Sequence, residues 1–260
     1  MPAFAGMTKE NMISIIIPVY NQAEKLAKCL ASILNQTFTD YEIIVVNDGS
    51  RDNLKEVIAD FTKQLAVLAL PESRLASENP ELEKVELANF KFITQANGGA
   101  NAARNRGARE ATGEYLLFCD ADIVLDKQAL EYFTDALKEN PEAAYAYSSF
   151  KFGWKTFHLF PFDADKLKQM PYIHTTSLIR TKDWPGFDEK IKRLQDWDLW
   201  LTMLAQGKKG VWIDMILFRV AGGGTMSAWL PSFIYKLLPW LPAVKKYNAA
   251  VEVIKKKHNL

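Results

Sequence analysis

The stretch Ile13-Ser14-Ile15-Ile16-Ile17-Pro18-Val19-Tyr20-Asn21 decides the fold. Ile13 to Ile17 is an apolar, β-branched run closed by Pro18. Such a run, bounded by turn-forming residues, reads as a buried strand. Asn21 stands where it would cap the next helix, in which Leu26, Cys29, Leu30, Ile33 and Leu34 recur at helical spacing. Glu42 to Val46 is a second buried strand and ends in Asn47-Asp48-Gly49-Ser50. Leu54, Val57, Ile58, Phe61 and Leu65 then form one face of a second helix. This strand–helix–strand–helix alternation is the pattern of an α/β fold, a mostly parallel sheet with helices on both faces.

The pattern continues outward. Pro71 to Leu87 is polar and reads as a surface insertion before a short strand, Lys91 to Thr94. Asn97-Gly98-Gly99 opens a helix rich in Ala and Arg that runs through Ala111. Tyr115 to Cys119 is another buried strand, with Asp120-Ala121-Asp122 at its carboxyl end. Asp126 to Glu139 predicts an amphipathic helix, Ala143 to Phe162 a mixture of strands and loops, and Trp197, Leu201 and Leu204 a further helix. Val211 to Ile213 and Ile216 to Phe218 read as two short strands. The expected organisation is a disordered leader over residues 1–11, a single Rossmann-like domain over 12–227 and an amphipathic, basic tail over 228–260.

Composition narrows the class. The chain has 260 residues, 48% of them apolar and 24% charged, which suits one large globular domain. A net charge of +1 argues against a dedicated nucleic-acid binder. Cys29 and Cys119 lie in apolar patterns and read as core residues, which fits a reducing cytoplasm. No apolar run approaches the roughly 18 residues of a membrane span, and Met1 to Met12 lacks the basic and apolar regions of a signal peptide. Trp229 to Val244 mixes apolar and aromatic residues, and Lys245, Lys246, Lys255, Lys256 and Lys257 follow. Residues 229–257 therefore suit peripheral contact with anionic lipid at the inner face of a membrane. The alternative is a tail packed on its own domain or on a partner subunit.

In open α/β sheets, ligands bind beyond the carboxyl ends of the strands. Three strands here end in polar clusters: Pro18-Val19-Tyr20-Asn21, Asn47-Asp48-Gly49-Ser50 and Asp120-Ala121-Asp122. One site built from all three is the simplest account. Two carboxylates one residue apart at the end of a buried strand need neutralising, and Mg²⁺ or Mn²⁺ does this while bridging to phosphate oxygens; the bland alternative is a turn and helix cap at Asp122. Asp48 reads as a turn and cap, or as an acceptor for a nucleobase or ribose. Asn97, Gly98 and Gly99 precede a helix N-terminus, a natural phosphate neighbour. Arg104 and Arg106 on that helix are surface arginines or diphosphate partners. In Gln195-Asp196-Trp197-Asp198-Leu199-Trp200, either aspartate reads as a helix cap or as a general base for an acceptor hydroxyl. Trp197 and Trp200 read as core residues or as a floor for a sugar ring.

Together these segments resemble the family 2 glycosyltransferases, which have the GT-A fold. The resemblance runs from about Ile13 to Ser227 and adds Ala103-Arg104-Asn105-Arg106-Gly107, Gly113-Glu114-Tyr115 and Gly186-Phe187-Asp188-Glu189 to the segments above. It implies a nucleoside-diphosphate sugar as donor, a glycan or lipid-linked acceptor and transfer with inversion. Pro18 to Asn21 and Asp48 would line the nucleoside pocket, with Asn97, Gly98 and Arg104 near the nucleotide. Asp120 would lie near ribose and metal, and Asp122 would ligate the metal. Asp196 would be the base, with Trp197 and Asp198 on the acceptor side. Two departures stand out: Gln195 replaces the Glu that many relatives carry before the base, and Arg219 is followed by Val220-Ala221-Gly222 without their His, for which His174 is a possible substitute. The competing expectations are a nucleotidyltransferase, which would need a glycine- and basic-rich loop after the first strand, and a non-catalytic sugar-nucleotide binder.

Overall fold

The structure, a computed structural model, describes residues 9–69, 89–221, 238 and 240–260. The chain runs β1 (Lys9–Val19), α1 (Ala23–Leu34), β2 (Tyr41–Asn47), α2 (Leu54–Ala69), β3 (Phe90–Thr94), α3 (Ala100–Arg109), β4 (Gly113–Phe118), β5 (Ile123–Leu125) and α4 (Ala129–Glu139). It continues with β6 (Tyr145–Phe152), β7 (Lys155–Phe157), α5 (Ala164–Gln169), β8 (Leu178–Arg180), α6 (Gln195–Ala205), β9 (Gly210–Val220) and α7 (Pro242–His258). The strands form one sheet in the order β3-β2-β1-β4-β8-β6-β9-β5, with β7 beside β6. The pairs among β3, β2, β1 and β4 are parallel, and β8 turns the sheet antiparallel.

β1 sits at the centre of the parallel half because both its faces are apolar. Ile13, Ile15 and Ile17 point to a core shared with Leu26 and Leu30 of α1 and Phe133 of α4, while Ile16 joins Phe118, Tyr145, Trp197 and Trp200 on the other face. This is the two-residue alternation of a strand, and each fully buried isoleucine contributes about 2 kcal/mol of apolar transfer. α3 lies unusually close to the sheet: a Cβ on Gly107 would sit 2.5 Å from Cγ2 of Ile16. Cys29 and Cys119 are buried with their sulfurs 3.6 Å apart, as expected of core residues.

Several boundaries differ from the sequence reading. Lys9 to Asn11 belong to β1 and not to a leader, whereas residues 1–8 and the stretch Pro71 to Leu87 lie outside the described residues. Asn21 is not the cap of α1: it adopts φ +50°, its side-chain oxygen accepts from Arg51 N–H, and Asp52 accepts from Ala23 N–H instead. The two short strands expected after Val211 are one strand, β9. Its pairing with β6 shifts between Ile213 and Ile216, so Asp214 and Met215 form an exposed irregularity within a continuous element. In the tail, residues 229–237 lie outside the described residues, and α7 packs on the domain through buried Val244 and Ile254.

Candidate active site

The ends of β1, β2 and β3 are tied into one floor by backbone and side-chain hydrogen bonds. Asp48 N–H donates to Val19 O, Gln95 N–H to Asn47 O, and Ser50 N–H to Oδ1 of Asn47. Asp48 is the hub. Its Oδ1 accepts from Gln95 Nε2 and from Gly98 N–H, and its Oδ2 from Gly99 N–H, all at 2.8 Å. Gly99 reaches this position at φ +91°, a region that favours glycine. A carboxylate offers about four acceptor sites, so one on Oδ2 is left for a ligand donor. The two glycine amides expected to meet phosphate are thus spent on Asp48. Pro18 and Val19 are buried within β1, while Tyr20 and Asn21 are exposed above the floor.

One arginine joins the middle of the cleft to its far side. Nη2 of Arg104 donates to both oxygens of Asp120 at 2.7 and 2.9 Å, and Nη1 donates to Asn101 Oδ1 and to Gln195 Oε1. Arg104 is buried, and its guanidinium also lies 5.3 Å from the Phe187 ring centroid. α3 therefore carries the bridge between the end of β4 and the start of α6. Asn101 and Asn105 on the same helix hold the loop at Gly186 to Ile191 through the carbonyls of Phe187, Asp188 and Ile191. Gln195 is a neutral acceptor here, which leaves Asp120 as the anion paired with Arg104.

Asp196 follows at the first turn of α6. Leu194, the N-cap two residues before it, takes the left-handed conformation (φ +56°), an uncommon choice for a bulky side chain. Oδ1 of Asp196 accepts from Trp197 N–H at 2.8 Å. Burial raises the Asp196 pKa, and the nearby Asp120 charge adds to that; Arg104 and the backbone amide oppose it. The end of β4 and the start of α6 are thus within electrostatic reach of one another.

Asp122 is poorly compensated. Burial, then Asp120, push its pKa up to about 6, with Lys25 and Arg104 opposing. Among the described residues no group of three or more His, Cys, Asp or Glu side chains is arranged to hold a metal. The donor set instead fits a cation that takes one or two carboxylates and completes its shell with phosphate and water, as Mg²⁺ and Mn²⁺ do. His174 lies close enough for Asp120 and Arg104 to act on it, its ring tilted against Phe150 and Phe218 with centroids 5.1 Å away. Its Nδ1 accepts from Thr176 N–H, so the neutral ring carries its proton on Nε2. Burial lowers its pKa to about 4. In this tautomer Nε2 donates and has no lone pair for a metal.

The model of the family described as Glycosyl transferase family 2 matches residues 14–192. The chain belongs to this family. Over 212 residues it is 27% identical to the chondroitin synthase of Pasteurella multocida, covering 76% of this chain and 19% of that one. Over 131 residues it is 33% identical to the poly-beta-1,6-N-acetyl-D-glucosamine synthase of Staphylococcus epidermidis, covering 50% and 26%. The chain spans between 19% and 31% of the length of the first relatives it matches. Among solved structures, S. aureus TarS 1-349 in complex with UDP-GlcNAc superposes with a TM-score of 0.64 at 19% identity, covering 86% of this chain and 64% of that one. The mannosyltransferase PcManGT from Pyrobaculum calidifontis, in complex with GDP-Man and Mn²⁺, gives 0.60 at 16% identity, covering 93% and 75%. The fold is of the GT-A type, and residues 14–192 form a family 2 glycosyltransferase domain.

Within this family 2 glycosyltransferase, two residues expected on the acceptor side are placed elsewhere. Trp197 is 1% exposed and donates from Nε1 to Leu167 O, so its indole is core and offers no face to a sugar. Asp198 is 3% exposed and takes Lys257 and His258 of α7 at 2.8 to 2.9 Å. Lys257 also bridges to Asp188. These partners lie about 60 residues downstream and follow no local spacing rule, which is why the sequence did not reveal them. Ala121 is buried between the two acids of its motif. Among the described residues no helix is long and apolar enough to cross a membrane.

Proposed function

We propose that the protein transfers a sugar from a nucleoside-diphosphate donor to a glycan or lipid-linked hydroxyl with inversion, using Asp196 as general base and Asp122 as ligand to a divalent metal. The observation that supports this is the Arg104 bridge from Asp120 to Gln195. It ties together the two chain segments that carry the half-buried Asp122 and Asp196, each one or two residues beyond a partner of Arg104. A base needs a pKa nearer neutrality than a free aspartate has, and burial raises that of Asp196. With Oδ1 held by Trp197 N–H, Oδ2 remains to take the acceptor proton as the acceptor oxygen bonds to the anomeric carbon and the bond to the diphosphate breaks. The metal, when bound, neutralises charge on the departing diphosphate as a Lewis acid. Asp122 orients it, and Asp120, already paired with Arg104, fixes the geometry beside it. Asp48 keeps the floor beneath the nucleoside in place and offers its remaining acceptor site to a base or ribose donor.

The test is a panel of UDP-, GDP- and dTDP-sugars with Mn²⁺ or Mg²⁺, following nucleotide release and, by NMR, the anomeric configuration of the product. Metal-dependent release with an inverted product is expected for at least one donor. Retention of configuration, or full activity in EDTA, would remove the mechanism.

A further inference from the structure

The loop ahead of α6 and one face of α7 enclose a groove of about 260 Å³, separate from the Asp48–Asp122 cleft. Lys190, Lys192 and Arg193 form one wall, and Ala249, Ala250 and Val253 form the other. Helical spacing places Lys246 and Lys256 on the same face of α7, three residues before Ala249 and three after Val253. All five cations are exposed, and among the described residues none of them forms an ion pair. Of the two acids just before the wall, Asp188 is taken by Lys257 and Glu189 accepts from Asn105 Nδ2. The groove is therefore cationic over a small apolar floor.

Its position ties it to the reaction. Ile191 O, in the middle of the wall, accepts from Asn101 and from Gln195. Nζ of Lys192 lies 3.6 Å from where a Cβ on Gly99 would stand, and Arg193 is three residues ahead of Asp196. The apolar component is two alanines, one valine and the buried Ile191, too little exposed apolar surface to anchor in lipid, where large aromatic and aliphatic side chains are the rule. The exposed Trp240 lies before α7 and is not part of the wall.

We infer that this groove binds the chain of the acceptor, and that the acceptor is an anionic glycan bearing carboxylate or phosphate groups. The inference rests on the glycosyltransferase reading above. Each exposed lysine or arginine contributes little alone, so recognition comes from several charges along an extended polyanion and weakens with salt.

Hexagalacturonate and chitohexaose serve as charged and neutral probes, titrated by calorimetry at physiological salt. Hexagalacturonate binds roughly tenfold more tightly or better, and K190E/K192E/R193E loses that preference while melting as the parent does. The equally charged reversal K28E/K55E/K138E, on a remote surface, keeps it. Equal affinity for the two probes, or equal loss in both reversals, overturns the inference. So does a triple variant that loses phosphatidylglycerol vesicles but keeps hexagalacturonate, since the face is then a membrane dock. Absence of nucleotide release with every donor, alongside intact hexagalacturonate binding, counts against the enzymatic reading and not against the groove.

Discussion

The two sides of the cleft treat their carboxylates in opposite ways. At the ends of the parallel strands, Asp48 accepts three hydrogen bonds, and Asp120 takes both its oxygens to one arginine. By contrast, Asp122 and Asp196 are half-buried with no cation in hydrogen-bond contact among the described residues, and their partial desolvation raises both. Saturated acids hold shape, because an unmade bond in a buried place costs the full desolvation of the group. Unsaturated acids store an unmet demand for a proton or a metal, which is what chemistry at the anomeric carbon uses. Asp120 and Asp122 are two residues apart and still fall on opposite sides of this divide, since α3 brings Arg104 to only one of them.

The sharpest way to break the comparison is Asp196→Asn. Turnover should fall by about 10³-fold, while nucleotide binding, read by thermal shift, stays as in the parent; a fall of less than tenfold would move the base elsewhere. Asp122→Asn comes next. Turnover should drop about a hundredfold, and the Mn²⁺-dependent rise in melting temperature should vanish. Its stability should move the other way. The folded chain holds a proton on Asp122 between pH 3.8 and about 6 that the unfolded chain releases. Stability without metal therefore declines as pH rises through that window and stays lower above it. Removing the charge should raise stability at pH 8 by about 2 kcal/mol, measured by urea unfolding in EDTA.

On the saturated side, Asp48→Asn has the opposite sign. An amide set against the Gly99 N–H leaves that donor unpaired and should destabilise the fold by about 2 kcal/mol, again by urea unfolding. The smallest change expected is Gln195→Glu. It sets a second anion before Arg104 and near Asp196, so the base is raised further. The acid limb of the pH–rate profile should then move to higher pH by roughly a few tenths of a unit, with donor KM unchanged.

Much of this was legible in the residues. Apolar runs of four or five residues locate β1, β2 and β4, and their polar ends locate the cleft, because burial on both faces leaves a strand little choice of composition. What stayed hidden depends on partners distant in the chain. Asn21 has the composition of a helix cap, yet Asp52, from the next loop, does the capping. Asp198 has the look of a second catalytic acid, but α7 neutralises it. Gly98 and Gly99 look like a phosphate cradle until Asp48 fills it. Asp214 and Met215 break the apolar pattern of β9 only because the strand bulges there. Local pattern reports burial; it does not report which charged group arrives from elsewhere to meet another.

The flush seating of α3 on β1 at Gly107 reaches further than packing. Arg104 stands one turn back along the same helix, so the separation between backbone and sheet sets how far its guanidinium extends toward Asp120. A methyl group added at position 107 would lift the helix and slacken that grip, altering the acid strength of Asp196 from a residue that bears no functional group. Variants sought for a new acceptor should leave this hinge point untouched and alter the rim instead.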